Sequence, residues 1–279
     1  MQARALGESL SDIHFTAIHA SPLKRAYSTA EGVYAAQSEP KPPLTTSLLL
    51  REQYWGIAEG HPWTYEHTPG LTLEEHFARG IYPVMVERWQ KFPEGESLDD
   101  LANRATQAIE ELVMPHLKCA AKQGKTGVHI ALVSHGLCIS ELVPALLKKD
   151  ASGSDPGHHY RGLMNTAWTR VAVSVKGAAD GQPLEIADDD IPPLEVRLTH
   201  HNQSQHLEKV VSELLSFPSK IPVHWLPSSQ KRQKGGIGSA AYDPKQSDIR
   251  AFFGGARVGT AKEGRSESNA EDEADVEIE

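Results

Sequence analysis

Apolar positions recur along the chain at two spacings, and the switches between them outline its elements. Ala3, Leu6 and Leu10 lie at helical spacing, so the chain opens inside an amphipathic helix that no capping residue precedes. Residues 15–19, Phe-Thr-Ala-Ile-His, form a short apolar run suited to a buried strand. Ser21-Pro22 then leads into a helix predicted from Leu23 to about Gln37, with proline at a position favoured in a helix start. The stretch Pro40 to Pro43 ends that helix, and Leu44 to Leu50 supplies a further strand or extended segment. Residues 51–71 are rich in Gly, Pro and Trp and read as an irregular lid. Ser97-Leu98-Asp99-Asp100 opens the longest helix, which carries Leu101, Ala105, Ala108, Ile109 and Leu112 along one face.

Val128 to Val133 is nearly all apolar, as expected of a strand covered on both faces. A helix from about Leu137 to Lys149 follows, then a polar loop from Ser152 to His158. Thr169 to Val175 and Leu194 to Leu198 alternate apolar and polar residues, which predicts a hairpin or edge pair, and a last helix spans about His206 to Leu215. Strand and helix alternate in the manner of an α/β three-layer sandwich, a mostly parallel sheet flanked by helices. From Pro227 the composition changes. Gly, Ser, Lys and Gln dominate to Ala241, and Ser266 to Glu279 is an acidic run without an aromatic residue. Such stretches bury too little apolar surface to offset ordering entropy, so the expected organisation is a folded unit over 1–226 and a disordered tail over 227–279.

Bulk properties narrow the function. A formal net charge of -9 argues against broad nucleic-acid or anionic-membrane binding. Cys119 and Cys138 are too few for a secreted disulfide framework, and no apolar run is long enough for a membrane span. The expectation is an intracellular protein, cytoplasmic or nuclear. The paired histidines His158-His159 and His200-His201 have no carboxylates at ligand spacing, so neither a metal nor a cofactor is predicted.

The chemistry lies in the loops after the strands, where α/β proteins bind ligands. Arg25 falls on the first turn after one strand and offers a planar fork for two phosphate oxygens. His135 directly follows another strand and can donate a charge-assisted hydrogen bond when protonated. Glu52, if it reaches the same cavity, can pass a proton to a leaving-group oxygen. Taken singly, each also suits a surface or turn position. Together they suggest capture of a phosphorylated small molecule or phosphopeptide.

These segments resemble the histidine phosphatase superfamily, which includes the cofactor-dependent phosphoglycerate mutases. Ala20 to Ala30 is similar to that family's second arginine motif, and Leu50 to Gly60 to its acid/base glutamate segment. Pro93-Glu94-Gly95-Glu96-Ser97 resembles its helix-opening motif. Val133-Ser134-His135-Gly136 is similar to its second histidine motif, and Asn202 to Leu207 to its closing Asn-x-x-x-His-Leu. The resemblance runs in consistent order over roughly residues 2 to 215. It implies a phosphoglycerate mutase-like fold, phosphate binding by Arg25 and His135, catalysis by Glu52 and His135, and phosphomonoester hydrolysis in preference to phosphoglycerate mutation, since hydrolysis needs only water at the phosphohistidine. The bulky lid His61-Pro62-Trp63-Thr64-Tyr65 does not separate the two.

The family's defining feature is a first strand ending in Arg-His-Gly, whose histidine becomes phosphorylated, and the chain contains no such tripeptide. Met1 aligns within the helix after that loop, while His14 and His19 belong in or beside a later strand. The expectation is therefore an N-terminally truncated sequence, inactive as it stands, with an open apolar slot where an interior strand is missing. A different class of function resides in the tail. Gln246, Ile249, Phe252 and Phe253 have the spacing of the peptide box that binds the replication sliding clamp, three of them forming an apolar plug on a single helical turn. Lys231-Arg232-Gln233-Lys234 is a weak nuclear-import pattern.

Overall fold

A three-stranded parallel sheet forms the centre of the computed structural model, which describes residues 1–157, 160–178, 181–187, 190, 192–208 and 210. The tail from 227, the clamp-box residues Gln246, Ile249, Phe252 and Phe253, the end of the last helix and the pair His158-His159 lie outside the described residues. In chain order the elements begin with helix α1 (Gln2–Ser9), strand β1 (Ala17–Ala20), helix α2 (Lys24–Ala35) and strand β2 (Leu44–Thr46). The lid region holds β3 (Trp63–Thr64), α3 (Leu73–Ala78) and β4 (Tyr82–Pro83). Then come α4 (Leu98–Leu112), α5 (Met114–Gln123), β5 (Ile130–Val133), α6 (Gly136–Leu147), β6 (Trp168–Val175) and β7 (Leu194–Gln203).

The central sheet has the order β2-β1-β5, and its alternating side chains divide between two helical layers. Ile18 and Ala20 are fully buried and pack with Leu6, Leu10 and Val33 of the α1–α2 layer, joined by Ala131 and Val133. His19 points the other way, its ring 5.7 Å from that of His116 on α5. Leu132 joins Leu101, Ala105, Ile109 and Leu142 in the core under α4 and α6. The expected three-layer, mostly parallel architecture is present.

Local chemistry accounts for the element ends. Ser97 caps α4 through the Asp100 amide at 3.0 Å, and Asp100 returns the bond, a reciprocal capping box. Its predicted apolar face is buried except Leu112, which is half-buried. Pro22 precedes the cap residue Leu23, two positions before the first helical residue where a helix-start proline usually sits. α1 and α2 approach backbone to backbone: a methyl group at Gly7 would lie 2.2 Å from the Gly32 carbonyl oxygen.

The structure refines the expected elements at three places. The strand expected over Val128 to Val133 begins at Ile130, and each of its residues is half-buried. Ala131 and Val133 pack into one helical layer and Leu132 into the other. α5 went unforeseen because its apolar pattern runs on from α4; Pro115 in its first turn marks the break. The predicted hairpin exists, but β6 and β7 form a separate antiparallel sheet, and no ladder joins β6 to β5.

Candidate active site

The carboxyl ends of β1 and β5 face one cavity of about 1280 Å³, and Arg25, Glu52 and His135 all line it. β1 delivers Ser21 and, through the first turn of α2, Arg25. β5 delivers Ser134 and His135, the latter as the cap residue of α6. Glu52 arrives on the segment after the 3₁₀ turn Leu48–Leu50. The structure brings together the three residues singled out from sequence.

Each is held by identifiable bonds. His135 Nε2 lies 2.8 Å from the hydroxyl of fully buried Ser21. Burial, with repulsion from Arg25, Arg104 and Arg51, pushes the imidazole down to about 3. His135 is therefore neutral at ordinary pH. The charge-assisted bond expected of it requires an incoming anion to raise its basicity first. Glu52 is buried, and its carboxylate accepts from the amides of Gln53 at 3.1 Å, Cys138 at 3.1 Å and Leu137 at 3.3 Å. It thus serves as a remote N-cap of α6. Burial raises its carboxyl above the usual range, although these three amides and Arg25 oppose the shift. Burial weakens the hold of Arg25 on its proton, and Glu52 and Glu59 only partly oppose that shift.

Sequence reasoning did not assign roles to several neighbours. Arg104 on α4 donates to the carbonyls of Leu49 at 2.9 Å, Arg51 at 2.8 Å and Glu52 at 3.2 Å, and holds both carboxylate oxygens of Glu96 at 2.7 Å. Glu96 in turn accepts from the Tyr54 amide at 3.0 Å. This strut fixes the segment that carries Glu52. A signal existed in the sequence: Glu96 and Arg104 sit eight residues apart, across the start of a predicted helix. Ser134 Oγ donates to the Leu50 carbonyl at 2.7 Å and ties β5 to the same segment. Asn202, in left-handed backbone, accepts from the Met164 amide at 3.0 Å, and His206 lies 3.0 Å from the Thr166 hydroxyl. The closing motif therefore secures the loop before β6. His14 and His19 are engaged elsewhere, with Ser38 at 3.2 Å and Thr45 at 2.7 Å.

The histidine phosphatase superfamily (branch 1) sequence pattern matches residues 1–179, well over half of the chain. The chain belongs to this superfamily. The zebrafish (Danio rerio) fructose-2,6-bisphosphatase TIGAR B is 30% identical over 166 residues, covering 50% of this chain and 58% of that protein. A 2,3-bisphosphoglycerate-dependent phosphoglycerate mutase 2 from Gloeobacter violaceus is 26% identical over 150 residues, covering 52% of this chain and 60% of its own. The chain thus spans about three-fifths of the length of these curated relatives. Among solved structures, mycobacterial hydrolase 2 superposes with a TM-score of 0.51 at 23% identity over 76% of this chain and 83% of the other, a likeness of fold. Superfamily relatives thus include both phosphatases and mutases. Among the described residues no helix is long and apolar enough to cross a membrane.

Proposed function

We propose that the chain provides the phosphate-binding and proton-donating part of a phosphomonoester hydrolase that works through a phosphohistidine. What supports this reading is the meeting of Arg25, Glu52 and His135 on one cavity at the carboxyl ends of parallel strands. Arg25 holds two phosphoryl oxygens, and His135 donates to a third once the anion offsets its repulsion from the arginines. The N-terminus of α6 adds a favourable dipole. Glu52, inclined by burial to keep its proton, protonates the departing alkoxide, and as a carboxylate it then draws a proton from the attacking water. The nucleophile is a histidine outside this chain, on a strand ending in Arg-His-Gly as the family resemblance implies. The substrate class is a phosphorylated small molecule or phosphopeptide, and hydrolysis is favoured over mutation because it places no demand on retaining the product. Residues 1–226 constitute this unit.

The test is to join a designed apolar strand ending in Arg-His-Gly ahead of Met1. The extended chain hydrolyses p-nitrophenyl phosphate, and the same extension with glutamine in place of that histidine does not. Hydrolysis by the unextended chain, or by neither extended form, contradicts the reading. A second reading, docking of the tail on the replication sliding clamp, is supported by the spacing of Gln246, Ile249, Phe252 and Phe253. Capture of the clamp by the full chain, lost in the double variant Phe252→Ala and Phe253→Ala, tests it; equal capture by both refutes it.

A further inference from the structure

A neutral imidazole carries one ring proton, and the contacts of His135 decide which nitrogen holds it. Its Nε2 lies 2.8 Å from the hydroxyl oxygen of Ser21, a fully buried residue that directly follows β1. Either group can donate across that gap, so the remaining bonds of Ser21 settle the direction. Its oxygen already accepts from the Leu23 amide at 3.3 Å, at the start of α2. Among the described residues, the hydroxyl proton has no acceptor other than His135 Nε2. A buried hydroxyl whose proton meets no acceptor is costly. Ser21 therefore donates, Nε2 accepts, and the single ring proton sits on Nδ1. Ser21 is itself fixed, because its amide donates to the Val133 carbonyl at 2.8 Å, two residues before His135. That bond ties the ends of β1 and β5 together where hydroxyl meets ring. Nδ1 makes no hydrogen bond among the described residues and is not sealed off, and His135 lines the cavity shared with Arg25 and Glu52.

We propose that Ser21 is a positioning residue for the anion site: it holds His135 in the tautomer that presents Nδ1–H to a phosphoryl oxygen. The inference rests on the proposed function for the identity of the anion, and it adds which atom donates and what fixes that atom's proton. The proton is on Nδ1 before any anion arrives, and it stays there if the ring then gains a second one. In the opposite tautomer Nδ1 would turn a lone pair towards the phosphoryl oxygens, and the contact would be repulsive. The Ser21 hydroxyl thus sets the sign of the interaction without touching the substrate. Because the same oxygen accepts from Leu23, it also links the start of α2, which carries Arg25, to the ring of His135.

The ring nitrogens report the tautomer directly. A long-range proton–nitrogen correlation spectrum is recorded on the isotope-labelled full chain at neutral pH, without phosphate. The His135 signals, recognised by their loss in His135→Asn, show a protonated Nδ1 and an unprotonated Nε2. A proton on Nε2, or averaging between the two nitrogens, overturns the proposal, and this measurement needs no change at Ser21. Ser21→Ala loses the single-tautomer pattern, which a purely structural role for the hydroxyl would leave in place. Its binding of inorganic phosphate, measured by calorimetry, weakens about three- to tenfold, the worth of one neutral hydrogen bond. An unchanged pattern or unchanged phosphate binding in Ser21→Ala also overturns the proposal. A parent chain that has the Nδ1 proton yet binds no phosphate refutes the functional reading and, with it, the donor role; a proton on Nε2 refutes this inference alone.

Discussion

His135 shows how burial sets the state of a side chain before any ligand arrives. Its folded-state value of about 3, against 6.5 for a free imidazole, means the unfolded chain takes up the proton more readily. The stabilising effect is fully present above pH 6.5 and is lost as pH falls towards 3, by at most about 1.4 kcal/mol per pH unit. Between pH 6.5 and 5 the parent chain should therefore lose about 2 kcal/mol more than His135→Asn in urea unfolding, with His19, His129 and His206 shifting both proteins alike. Parallel pH profiles contradict this account. Glu52 acts in two capacities, cap and candidate acid. Glu52→Gln keeps one acceptor for three amides, so it should destabilise the chain by about 1–2 kcal/mol in the same measurement. The residues themselves could be singled out because each lies on a segment that follows a strand signal, Arg25 on the first turn of the next helix and His135 directly after its strand. The neutral state of His135 was not, since it depends on three arginines drawn from separate segments.

The helices and strands followed from periodicity wherever one face was buried. α4 was legible to its cap because Ser97 and Asp100 mark its start as plainly as its apolar stripe marks its course. α5 was not, because only the single turn residue Val113 separates it from α4. The contact of α1 with α2 was also hidden, since glycines reveal a close approach only in three dimensions. Gly7→Ala gains helix propensity yet should cost about 1–3 kcal/mol in urea unfolding, because its methyl group meets a backbone carbonyl that cannot yield. A stabilised variant would show that the helices can part freely. Arg104 performs a comparable service between α4 and the segment carrying Glu52. Arg104→Lys, which cannot span Glu96 and three carbonyls at once, should cost about 2–4 kcal/mol and weaken phosphate binding with it. Unchanged stability and binding would remove it from the site's support.

The assembled chain places parallel strands so that their loops converge, and the proposed phosphate site rests on that arrangement. The three-layer order was legible because only buried strands run apolar throughout, as β5 does. That β5 ends its sheet among the described residues was not legible, since an apolar run reads the same whether one neighbour or two are present. Calorimetric titration of the full chain with inorganic phosphate tests the central claim most directly. The account predicts saturable binding that weakens at least about tenfold in both Arg25→Ala and His135→Ala, as expected when one charge-assisted contact is lost. Binding that is unaffected by either substitution, or missing from the parent chain, would contradict it.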